Sequence, residues 1–61
     1  MDAKEVLKIL KANGFIKKSQ RGSHIKLVKD DKLVIVPDHG AKDIPIGTLK
    51  NMERQSGVKL C

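Results

Sequence analysis

Ala3, Val6, Leu7 and Leu10 recur at the spacing that puts them on one face of a helix, while Lys4, Lys8 and Lys11 take the opposite side. Asp2 followed three residues later by Glu5 is a capping-box signature, and Asn13-Gly14 offers a left-handed stop, so a helix is predicted over 3–12. The period then changes. Residues 15–19, 25–29 and 32–36 are short runs with β-branched content, separated by Gln20-Arg21-Gly22-Ser23 and by Asp30-Asp31. They predict three antiparallel strands in a meander. In the second strand Ile25 and Leu27 share one face and His24, Lys26 and Val28 the other, because side chains alternate along a strand. The third, Leu33-Val34-Ile35-Val36, is apolar on both faces, so it is either a buried central strand or one whose outer side a partner covers. Pro37 ends it. The polar connection 38–43 then leads to a second helix with Ile46, Leu49 and Met52 as its buried stripe and Gly57 as its stop, after which Val58 and Leu60 can fold back on the core.

The predicted fold is α+β, in the order α-β-β-β-α, with both helices on one face of a three-stranded antiparallel sheet and a single domain over 1–61. A domain of this size buries only about 60% of the surface its unfolded chain exposes. Phe15 is the sole aromatic residue, so the core is aliphatic, with each buried side chain contributing roughly 1.5–3 kcal/mol. Binding to a partner would add stability to so thin a core.

Thirteen Lys and Arg against seven Asp and Glu give a net charge of +6, which favours nucleic acid, an anionic membrane or an acidic protein as partner. A membrane partner is not expected: no apolar run approaches the ~20 residues of a span, and no signal-peptide pattern precedes the first helix. A cytoplasmic location follows as the expectation. Cys61, the single cysteine, can form neither an internal disulfide nor a cysteine metal site, and no role is expected of it. Asp30-Asp31 reads as turn chemistry, Asp38 and Asp43 stand apart in a loop, and no glycine-rich run ends in Lys-Ser/Thr. Neither a catalytic metal nor another cofactor is expected.

The chemistry concentrates between Phe15 and Lys29, where the formal charges are Lys17, Lys18, Arg21, Lys26 and Lys29, all cationic. Gly22-Ser23-His24 sets an imidazole in their midst, directly after a tight turn. Histidine gives or takes a proton near neutrality, and RNA carries its own nucleophile in the 2′-OH. A small protein therefore needs only to position a phosphodiester, move a proton and shield the developing charge. His24 is the candidate catalytic residue. Lys17, Lys18, Arg21 and Lys26 are candidates to hold RNA phosphates, and Ser23, by its hydroxyl or a nearby backbone N–H, to support the phosphoryl oxygens. His39 is open to two readings: it fixes the loop after Pro37, or it serves as a second acid/base group. With neither Tyr nor Trp to stack on bases, weak base selectivity is expected. The same residues suit a noncatalytic RNA-binding module with a basic sheet face, or a protein that docks an acidic partner.

Five short segments, in order along nearly the whole chain, resemble the HicA family of toxin–antitoxin systems. They are Asn13-Gly14-Phe15 at the end of the first helix, Gly22-Ser23-His24 as the catalytic strand motif, and Val36-Pro37-Asp38-His39 after the third strand. Lys42-Asp43-Ile44 with Gly47-Thr48-Leu49 resembles the entry to the second helix, and Arg54-Gln55-Ser56-Gly57-Val58 the closing pattern. The resemblance implies a double-stranded-RNA-binding-domain-like fold and a metal-independent messenger RNA endonuclease with His24 as catalytic residue. It also implies a HicB-like antitoxin that silences the protein by covering this face, which would account for the doubly apolar third strand.

Overall fold

The computed structural model describes residues 1–40 and 42–60, so the expectation for Cys61 lies outside the described residues. The first helix, α1, spans Ala3–Ala12. Asp2 caps it, its carboxylate accepting a hydrogen bond from the Glu5 backbone N–H at 2.9 Å. At the other end Gly14 takes φ +94°, its N–H donating to the Lys11 carbonyl at 3.1 Å and that of Phe15 to the Leu10 carbonyl at 3.0 Å. That pair of bonds is a Schellman motif, closed by the apolar contact of its flanking residues, here Leu10 and Phe15, both in the core.

Three strands follow, β1 (Ile16–Arg21), β2 (His24–Lys29) and β3 (Lys32–Pro37), then the second helix, α2 (Ile46–Ser56). The sheet is antiparallel in the order β1-β2-β3. Asp30, at φ 54°, takes the left-handed position of the β2–β3 turn, a conformation aspartate tolerates. Two short turns force the middle strand into the centre, which corrects one expectation. The doubly apolar β3 is an edge strand, not a buried central one. Val34 and Val36 enter the core from its inner face, whereas Leu33 is exposed and Ile35 half-buried on its outer face.

Both helices pack on the inner face, nearest β3, around a core of aliphatic side chains with Phe15 and Met52. Ile25 and Leu27 supply the β2 contribution, and every residue of β1 is exposed. In α2, Leu49, Met52 and Ser56 are buried, but Ile46 is 61% exposed, against the predicted stripe. Helical side chains lean toward the helix N-terminus, so an isoleucine in the first turn overhangs the core's end, and Ile44, just before the helix, fills that place instead. Beyond Gly57 the chain turns back: the Leu60 N–H donates to a Glu53 carboxylate oxygen at 2.6 Å and the Leu60 side chain is buried. No helix among the described residues is long and apolar enough to cross a membrane.

Candidate functional site

The turn between β1 and β2 has two residues, Gly22 and Ser23, rather than the four suggested by composition. Gly22 takes φ +59° with open space where a Cβ would stand, so the left-handed backbone rather than crowding calls for glycine there. Because the turn is this tight, β1 continues through Arg21, which pairs directly across from His24. A register shift between Lys17 and Ser19 makes Lys18 the additional residue of a β-bulge and sets Ser19 opposite Lys26. From the other side, β3 brings Pro37 opposite His24 and Ile35 opposite Lys26.

The outer face of the sheet, away from the helices, is thereby built of rungs. Arg21–His24–Pro37 forms the end rung, Ser19–Lys26–Ile35 the next, and Ile16–Val28–Leu33 an apolar one beyond. Ser19, Arg21, His24, Lys26 and Ile35 line a shallow pocket of about 260 Å³. His24 and Arg21 are exposed and Lys26 half-buried, and among the described residues none of their charged or polar ends is engaged by another side chain. The imidazole is thus reachable from solvent with a guanidinium beside it and an ammonium on the next rung. One imidazole, one hydroxyl and two cations attract an anion and repel a divalent cation. No group of three or more His, Cys, Asp or Glu residues is gathered among the described residues.

The remaining candidates are placed elsewhere. Lys17 alternates to the inner side of β1, where its Nζ donates to Gln20 Oε1 at 2.8 Å, and Lys18 stands exposed at the bulge. Ser23 lies in the turn, and its carbonyl accepts from the Asp38 N–H at 2.6 Å, tying the turn to the chain after β3. Asp38 also accepts from the Gly40 N–H at 3.0 Å. Asp38, not His39, therefore fixes that loop. His39 is exposed and lines a second, larger cleft of about 700 Å³ with Pro37, Lys42, Asp43, Ile44, Pro45 and Thr48. The two imidazoles thus belong to separate pockets, one lined by His24 and the other by its cross-strand partner Pro37. Ser19 escaped the sequence reading because β1 shows no apolar alternation, and only the bulge assigns it to the face of His24.

Residues 3–58 match the family model described as HicA toxin of bacterial toxin-antitoxin. The chain is also 37% identical over 59 residues to the probable mRNA interferase HicA of Pseudomonas fluorescens (strain Pf0-1), covering 97% of this chain and 98% of that one. No solved structure matches.

Proposed function

The chain belongs to the HicA toxin family of bacterial toxin–antitoxin systems, and from that premise we propose that it is a metal-independent messenger RNA endoribonuclease. The observation that carries this reading is the Arg21–His24 rung with Lys26 beside it, an exposed imidazole between two cations on an open sheet face. A phosphodiester seated there brings its ribose 2′-OH to His24. The imidazole takes the 2′ proton, the 2′-oxygen attacks phosphorus, and the bond to the 5′-oxygen breaks, that oxygen taking up a proton from water. The products are a 2′,3′-cyclic phosphate and a 5′-hydroxyl. Arg21 and Lys26 neutralise the charge that builds on the phosphoryl oxygens, and Ser19 donates its hydroxyl to them. Lys17 and Lys18, on the β1 edge, hold RNA beyond the pocket, and the Ser23 backbone supports the turn that aims His24. Messenger RNA as substrate places the activity in the cytoplasm. A HicB-like antitoxin silences it by covering the same outer face, where Ile16, Val28 and Leu33 supply an apolar rung.

Inducible expression of wild type beside His24→Ala, with mapping of RNA ends, tests the proposal. Wild type is expected to arrest growth and generate new cyclic-phosphate ends, insensitive to chelators and blocked by 2′-deoxy substitution at the cut. His24→Ala is expected to bind RNA without either effect, since a positioned histidine is worth about 10²–10⁴ in rate. Equal arrest by both proteins would sink the catalytic assignment. Binding by wild type without cleavage would favour a noncatalytic module.

A further inference from the structure

The larger cleft is used by nothing in the reaction just described, yet one of its lining residues pairs with the histidine of the reacting pocket. Pro37, on its wall, is the cross-strand partner of His24, so that wall stands about one strand spacing, ~5 Å, from the His24 backbone. Its walls divide by chemistry. Pro37, Ile44 and Pro45 are apolar, whereas His39, Lys42 and Thr48 bring an imidazole, an ammonium and a hydroxyl. At about 700 Å³ it falls in the range of small-ligand pockets, and it is open to solvent along the exposed His39 and Lys42. Asp43, the carboxylate on its rim, is paired with the amino group of Met1 at 3.4 Å. The connection is anchored at Asp38 and at Ile44: the Asp38 N–H donates to the Ser23 carbonyl at 2.6 Å, and the Ile44 N–H to the Met1 carbonyl at 2.8 Å. The apolar wall formed by Pro37 and Ile44 is therefore built into the fold beside His24.

We propose that this cleft is a nucleotide subsite flanking the scissile phosphate. The neighbouring nucleoside packs its ribose and base on Pro37, Ile44 and Pro45, and the next phosphate along the strand is held by His39 and Lys42, with Thr48 as hydroxyl donor. This inference rests on RNA cleavage at His24, and it makes His39 a substrate-positioning residue rather than a participant in the proton transfer. An aliphatic wall accepts any base by its face, so the subsite adds affinity with little sequence preference.

Substrate length separates this subsite from the reaction itself. A dinucleoside monophosphate offers the scissile phosphate but nothing for His39 and Lys42 to hold, whereas one further phosphate, added at either end, reaches the cleft in one of the two cases. For wild type, KM is expected to fall with the added phosphate at one end. In the doubly substituted His39→Ala/Lys42→Ala that gain should vanish, a loss of about five- to tenfold in KM with kcat retained, as two partly exposed contacts warrant. Both residues are exposed, and an unchanged melting temperature confirms the variant's fold. If His39→Ala alone abolishes kcat on the dinucleoside, His39 belongs to the chemistry and the subsite is overturned. If length dependence survives the double substitution, or only antitoxin binding weakens, the cleft does not hold RNA. Inactive wild type on every substrate would instead defeat the ribonuclease reading itself.

Discussion

Arg21 shows how much a site depends on where one residue's strand ends. By composition it sits in a four-residue polar turn, and its charge alone suggests only general attraction to phosphate. Paired across from His24, it is a guanidinium fork at the distance of a neighbouring side chain, able to hold two phosphoryl oxygens at once. Arg21→Ala is expected to cut kcat/KM for RNA by about a hundredfold, in the range found when one transition-state donor is removed. Arg21→Lys should recover only part of the loss, because it restores charge without the fork. The residue is exposed, so both variants should melt within a few degrees of wild type, and thermal denaturation beside steady-state kinetics checks the pair. His24 itself was legible from Gly22-Ser23-His24, since a glycine turn inside a cationic run is a local pattern. Lys26 was legible too, from alternation along the same strand, whereas Arg21 and Ser19 were not, because their meeting with His24 and Lys26 depends on cross-strand register.

At the scale of elements, legibility follows burial. Helix α1 was readable to the residue because its two ends are written locally, in Asp2 and in Asn13-Gly14, and its apolar face has an unbroken period. Strand β1 was not, because none of its residues is buried and no alternation marks its face. Gly14→Ala tests the helix end. At φ +94° an alanine is strained, and its Cβ would stand 3.2 Å from Lys29 Cε, a flexible neighbour that can move aside. The expected cost is about 1–2 kcal/mol from the backbone, read as a lower denaturant midpoint with unchanged slope. Deleting Lys18 tests the bulge. Either side of it, Ile16 and Ser19 both face outward, so removal keeps every face assignment and regularises the ladder. What changes is the bend that aims Ser19 and Arg21. Cleavage is expected to fall about tenfold or more while stability holds, because small misplacements at a reacting centre are costly. Loss of folding on deletion would show that the bulge serves the sheet and not the site.

Across the whole molecule, charge and apolar surface are segregated on one open face, and that segregation assigns different forces to different partners. The rungs containing Arg21, His24 and Lys26 present cations, whereas the rung of Ile16, Val28 and Leu33 exposes aliphatic surface, with Ile16 65% and Leu33 46% accessible. RNA gains from the first region and little from the second, so its binding should be dominated by counterion release. For His24→Ala protein, contact with about four or five phosphates predicts a log–log slope of affinity against salt near −3. An antitoxin laid over the entire face would also bury the apolar rung, whose contribution salt does not screen. Its affinity should therefore decline far less steeply over the same salt series, and added salt should shift the competition from RNA toward the antitoxin. Titrations of both partners across one range of potassium chloride measure the two slopes directly. Equal slopes would mean that the antitoxin reads only charge and leaves Ile16 and Leu33 uncovered, and the apolar outer side of β3 would then have no part in silencing.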